Sequence, residues 1–207
     1  MKNFATLASR DSIDRAIKAL GENGIQAELV QSKADAARRV LELVPKGAEV
    51  FTAGSVTLDE LGLAKELNES GNYDGVKSRL MKMDQKTQGR EMRKLGAGPD
   101  FALGSAHAVT ETGSVLFASL TGSQLPAYAY GAGTVIWVVS AKKIVKDVEE
   151  GFKRIWEHVL PLESVRARKA YGLPDSFNSY PGKVLVFNRE IQPGRVRMII
   201  VNEDIGF

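Results

Sequence analysis

Three apolar runs punctuate the middle of the chain: Phe101-Ala102-Leu103, Val115-Leu116-Phe117-Ala118 and Val135-Ile136-Trp137-Val138-Val139. Loops rich in Gly, Ser and Thr bound them. Short apolar runs so bounded predict buried strands of a mostly parallel sheet, because a strand covered on both faces shows no polar side. The intervening loops, 104–114 and 119–126, then stand at strand ends, where open α/β sheets place their ligands.

The flanking pattern supplies a scaffold. Asp11 is placed to cap a helix carrying Ile13, Ala16, Ile17 and Leu20 on one face, with Gly21 and Gly24 at its end. Ile25, Ala27 and Leu29 alternate with polar residues as in a half-buried strand. Ser32 caps a second helix through Val40 and Val44, stopped by Pro45 and Gly47. Residues 1–47 therefore read as a helix–strand–helix unit within one domain spanning 1–207. Glu49-Val50-Phe51-Thr52 predicts a strand, followed by Gly54-Ser55-Val56-Thr57 and a helix apolar around most of its circumference through Leu67. Residues 70–99 are polar and read as a solvated helical connection anchored by Leu80, Met81 and Met83. Val148, Phe152, Ile155, Trp156 and Val159 mark a helix broken by Pro161, with His158 at its surface and a short helix following from Ser164. Residues 183–188 and 195–201 around Gln192-Pro193-Gly194 predict a closing hairpin. The sum is an α/β fold of three layers, α/β/α, with a mostly parallel central sheet.

Composition narrows the chemistry. With 43% hydrophobic and 26% charged residues the chain is that of an ordinary globular protein. A net charge of +3 suits a small anionic ligand, and without a concentrated basic face it does not point to nucleic acid. The absence of cysteine excludes disulfides, thiol catalysis and an iron–sulfur cluster ligated by this chain. With only two histidines, His107 and His158, no protein-bound metal is expected. The start, Met1-Lys2-Asn3-Phe4, lacks a signal-peptide pattern, and no window approaches the ~18 apolar residues of a membrane span. A cytoplasmic protein without membrane insertion is the expectation.

The candidate ligand-binding residues are Gly54, Ser55, Thr57, Gly104, Ser105, Gly113, Gly122, Ser123, Gln124 and Lys143. A strand–Gly-Ser–helix order offers backbone N–H groups and hydroxyls to a phosphate or carboxylate. Ser55 or Thr57 serving only as a helix cap is the competing use. Gly122-Ser123 ahead of Leu125-Pro126 suggests a second helix start and a second anion site at the same sheet edge. His107 and Glu111 are the candidate catalytic pair: on a helical turn they would share a face and exchange a proton. Glu111 beside Gly113 also suits a nucleophile. Against this, Glu111 can cap backbone amides and His107 can hydrogen-bond within the core. Lys142 and Lys143 follow a strand end that would aim them at a bound anion, or leave them solvated.

The run His107-Ala108-Val109-Thr110-Glu111-Thr112-Gly113, then Thr121-Gly122-Ser123-Gln124-Leu125-Pro126, then Val135-Ile136-Trp137-Val138-Val139 and Lys143-Ile144-Val145, resembles the LUD domain family associated with lactate utilisation. Residues 54–62 and 200–207 resemble that family's upstream loop and C-terminal end, so the likeness spans nearly the whole chain. The resemblance implies the fold shared by CoA transferases and ribose-5-phosphate isomerase. It also implies a role as subunit or accessory of a redox system beside an iron–sulfur protein; a homo-oligomer is the separate alternative that the polar segment 70–99 offers, as a surface for a second subunit. It names no cofactor, and it leaves open a stand-alone transferase or isomerase using Glu111, or a non-catalytic assembly module.

Overall fold

The computed structural model describes residues 3–207; Met1 and Lys2, at the head of the N-terminal run that showed no signal-peptide pattern, lie outside them. Two sheets organise the chain. The first is built from β1 (Gln26–Val30), β2 (Glu49–Thr52), β3 (Asp74–Gly75), β4 (Phe101–Gly104), β7 (Thr134–Ser140) and β10 (Val196–Val201). Its order is β1-β10-β7-β4-β2-β3 and every pairing in it is parallel. The second holds β5 (Ala108–Thr110), β6 (Val115–Ser119), β8 (Ile144–Val145) and β9 (Lys183–Phe187), in the order β8-β5-β6-β9.

Strand alternation assigns the two faces of the parallel sheet. In β7, Ile136 and Val138 join Val40 of α2 (Lys33–Leu43), Leu58 of α3 (Val56–Glu60) and Leu63 and Leu67 of α4 (Leu63–Glu69). Val135, Trp137 and Val139 face the other way, toward Ile13, Ala16 and Leu20 of α1 (Arg10–Glu22) and toward Val109, Phe117 and Phe187 of the second sheet. The outer face of the second sheet is covered in turn through Ala108, Leu116, Val145 and Ile155. The layers are thus helices, parallel sheet, then helix α1 beside a second sheet, with a last helical layer outside it. The α/β expectation holds. Among the described residues no helix is long and apolar enough to cross a membrane.

Several local expectations are corrected. Ser9, not Asp11, caps α1 by accepting from the Ser12 amide at 3.3 Å, and Gly21 lies inside the helix, which ends at Asn23. Ser32 does cap α2. The helix expected through Leu67 is two, because Gly62 sits in the left-handed region at φ 70° between α3 and α4. The polar connection forms α5 (Val76–Leu80) and α6 (Gln85–Ala97), but Met81 is 81% exposed and anchors nothing. Val115-Leu116-Phe117-Ala118 is buried as expected yet belongs to the second sheet, antiparallel to β5. No hairpin closes the chain: β9 pairs with β6, while β10 inserts between β1 and β7. Nor does Pro161 break its helix. From α7 (Val148–Arg154) the chain passes through a π-helical turn, Ile155–Val159, straight into α8 (Leu160–Tyr171), where Pro161 occupies the first turn. His158 is half-buried there, its ring 6.2 Å from that of Phe4.

Candidate functional site

The direction of travel reverses between β2 and β4. From β2 the chain moves outward to β3, and from β4 it moves the other way, to β7 and then β10. Such a reversal leaves a crevice at the carboxyl ends of the two neighbouring strands. The loops emerging there carry Gly54, Ser55 and Thr57 after β2, and Ser105 and His107 after β4. The turn after β7, Ala141–Lys143, supplies Lys143, and the segment after β10 supplies Gly206. Lys143 Nζ lies 3.0 Å from Ser105 Oγ and 3.3 Å from Thr57 Oγ1, and the two hydroxyls are themselves 3.3 Å apart. A Cβ at Gly206, where φ is 58°, would come within 2.2 Å of Thr57 Oγ1 and 3.3 Å of Lys143 Nζ, so only glycine fits against the cluster. Gly54 is exposed, and Ser105 and His107 are half-buried, marking the side that meets solvent.

The turn orients its two lysines differently. Ser140 Oγ accepts from the Lys142 amide at 3.3 Å and donates to Glu203 O at 2.6 Å, tying the turn to the closing segment. Lys142 Nζ then ion-pairs with Asp204 and donates to Gly206 O. Lys143, 2% exposed, meets hydroxyls and has no carboxylate partner among the described residues. Burial, with Arg154 and Lys142 nearby, holds its ammonium well below the ordinary lysine range; Glu60 opposes this weakly. Burial, Lys143 and Arg154 likewise push His107 down to about 3. His107 is therefore neutral at pH 7, and Nδ1 accepts from the Ala118 amide at 3.1 Å, which leaves the proton on Nε2.

Arg154, on the last turn of α7, was not singled out from the sequence. It is fully buried, donates from Nη1 to His107 O, and leaves Nε and Nη2 without partners among the described residues. Burial lowers it to about 10. The signal available was its spacing, three residues after the buried Gly151 and one before the buried Ile155. A cation on that stripe is out of place unless something meets it. The contrast is Arg195, equally buried, whose guanidinium reaches Glu190 and the carbonyls of Ala127, Tyr128 and Ala132.

Thr57, Ser105 and Lys143 of the expected residues come together, with His107 linked to them through the field of Lys143. Ser55 caps α3, accepting from the Leu58 amide at 3.3 Å, and Thr57 is free of that duty. Gly104 ends β4, where a Cβ would lie 1.7 Å from the Tyr128 hydroxyl. Gly122, Ser123 and Gln124 stand at the end of β6 in the second sheet, not at the edge of the parallel one. Their loop is closed on itself: the Gly122 amide donates to Ser119 Oγ, the Ser123 amide to Thr121 Oγ1, and Ser119 Oγ meets Gln124 Oε1 at 3.0 Å. The helix expected after Pro126 is a single π-helical turn, Ala127–Gly131. His107 and Glu111 share no helical face, because β5 separates them. Glu111 lies at the β5–β6 turn, ion-paired to Arg15 at 2.8 Å and hydrogen-bonded by Ser12 of α1, and Gly113 packs against Ala19 and Asn23 at the C-terminal end of the same helix.

Among solved structures the chain is similar to a DUF162 family protein from Deinococcus radiodurans, with a TM-score of 0.58 and 14% identity, covering 95% of this chain and 100% of that one. That likeness concerns the fold. A ribose 5-phosphate isomerase from Plasmodium falciparum aligns at a TM-score of 0.34 and 14% identity over 79% of this chain and 80% of that one, too distant to carry an argument. No curated protein matches. The LUD domain model matches residues 13–201, from the first buried position of α1 to the last residue of β10, and the chain belongs to the LUD domain family.

Proposed function

We propose that the crevice between β2 and β4 binds a small carboxylate or phosphate-bearing molecule, and that the protein is a lactate-utilisation-type subunit or accessory of a redox system. The observation that carries this reading is the set of buried nitrogen donors, at the switch point and beside His107, that meet no anion among the described residues. Among the described residues Lys143 meets only hydroxyls, and Arg154 keeps two buried nitrogens unbonded. A buried unmet donor costs about 1–3 kcal/mol, more for a charged group, so an arrangement that retains several is best accounted for by an anion that completes them. Thr57 and Ser105 supply neutral donors at the same place. An iron–sulfur protein is the partner the reading calls for, since a chain without cysteine has no thiolates for a cluster.

Two measurements test it. Calorimetric titration with lactate, pyruvate and phosphate should give saturable binding, weakened at least about tenfold in Thr57→Val and in Ser105→Ala, the scale of one hydrogen bond to a charged group. Parent affinity in both variants would place the anion elsewhere. The purified chain alone should be colourless and should not reduce an artificial acceptor with lactate. Turnover by the isolated chain would overturn the accessory role while leaving the crevice in place.

A further inference from the structure

We propose that Lys143, held between the Thr57 and Ser105 hydroxyls without a carboxylate partner, is an imine-forming amine for a small oxo acid. This rests on the anion-binding reading of the same crevice and specifies its ligand: the carboxylate is the anion, and a neighbouring carbonyl carbon is what the amine meets.

The argument begins with two adjacent lysines treated differently by one turn. Lys142 is neutralised by Asp204 and is bonded to the Gly206 carbonyl, so its ammonium is a structural fixture. Lys143 has hydroxyls on it and, among the described residues, nothing anionic in contact. An ammonium with those surroundings is poorly solvated, and the neutral amine is the form that burial and neighbouring cations favour. The groups facing it are Arg154 from α7, Lys142 from its own turn and Glu60 from α3; the two cations outweigh the one carboxylate. A desolvated lysine beside another cation is a nucleophile at neutral pH. For simple anion binding a permanently charged, ion-paired lysine at the rim would serve as well. A buried amine without its counter-charge suits covalent chemistry better.

The step balances without an outside oxidant or reductant. The Nζ lone pair forms a bond to the carbonyl carbon, the carbonyl π pair moves to oxygen, and a proton passes from nitrogen to that oxygen to give the carbinolamine. Loss of its hydroxyl as water, with the second nitrogen proton, leaves the C=N bond. Ser105 Oγ, 3.0 Å from Nζ and on the solvent side, is placed to pass the proton between nitrogen and oxygen. The Thr57 hydroxyl, 3.3 Å away, holds the amine in position.

The test uses the full chain with pyruvate, the smallest 2-oxo acid, and borohydride to reduce any imine to a secondary amine, followed by peptide mapping. The expected result is one early adduct, on Lys143, with the mass of pyruvate less one oxygen atom. Oxalate, an anion with no ketone, should suppress it and should bind in a parallel calorimetric titration. In Lys143→Met the adduct should disappear from that peptide; should the variant fail to fold, the map of the parent protein decides alone. Labelling confined to exposed lysines such as Lys146 and Lys183, with oxalate still bound, would overturn the imine and keep the anion crevice. Neither adduct nor oxalate binding would overturn both.

Discussion

Lys143, Arg154 and Arg195 are three cations buried to a similar degree with three different fates. Arg195 closes four side-chain bonds, including an ion pair with Glu190 at 2.5 Å, and so holds the π-helical turn to the segment that precedes β10. Arg154 makes one. Removing a partner from a fully bonded buried ion pair is expensive, whereas replacing an unmet charge by an apolar side chain of similar volume is close to neutral. Arg195→Met should therefore lower stability by about 3–5 kcal/mol in urea unfolding. Arg154→Met should change it by less than about 1.5 kcal/mol, the value of its single bond, while weakening anion binding. Equal losses in the two variants would show that Arg154 serves the fold. Neither residue could be sorted from sequence, because an arginine that clamps carbonyls and one that keeps nitrogens unbonded have the same letter and similar neighbours. Lys143 was legible only as one of two lysines after a strand.

Elements met the eye wherever periodicity and boundary agreed. The apolar runs of β4 and β7, the Ser32 cap and the strand-to-turn passage at Thr52 were all readable. The second sheet was not, since β6 is buried on both faces and an apolar run looks the same whichever sheet receives it. The continuous helix across Pro161 escaped for a related reason: a proline in a helical first turn and a proline that ends a helix differ only in what precedes them. Gly104 shows how an element end can be set by a single contact. Its missing side chain leaves room for the Tyr128 hydroxyl, which is buried and has no partner among the described residues. Gly104→Ala should cost about 1–3 kcal/mol as an overpacked site. Adding Tyr128→Phe should recover part of that loss, and Tyr128→Phe alone should be neutral or stabilising. A double variant no more stable than Gly104→Ala would mean that backbone conformation, not the hydroxyl, requires glycine.

Across the whole molecule the positive cluster makes stability depend on pH in a definite direction. His107 falls from 6.5 to about 3 on folding, so between those values the unfolded chain binds the extra proton. Its contribution is complete above pH 6.5 and is lost progressively as pH drops toward 3. Melting temperatures of the parent should fall more steeply between pH 6.5 and 5 than those of His107→Asn, which has nothing to protonate there. Parallel slopes would remove His107 as the source. Lys143 acts in the same direction at higher pH, its contribution rising as pH approaches the ordinary lysine value. The α/β organisation of the molecule was legible from the order of strands and helices. The arrangement of residues at the crevice was not, because Thr57, Ser105 and Lys143 meet only once β2, β4 and β7 are side by side.

The position of β10 has a consequence for biosynthesis. Gln26 of β1 pairs with Arg197 and Val30 with Val201, and among the described residues β1 has no other partner in its sheet. A ribosome delivers β1 long before β10, so while the intervening chain is made β1 lacks the neighbour it bonds. Pairing so distant along the chain is slow to form, and an unpaired strand meanwhile offers its edge to other chains. The half-polar surface of β1, with Gln26 and Glu28 alternating with Ala27 and Leu29, makes that waiting strand less adhesive than a fully apolar one. The crevice, whose walls include the segment after β10, is thus completed only once β10 has been delivered.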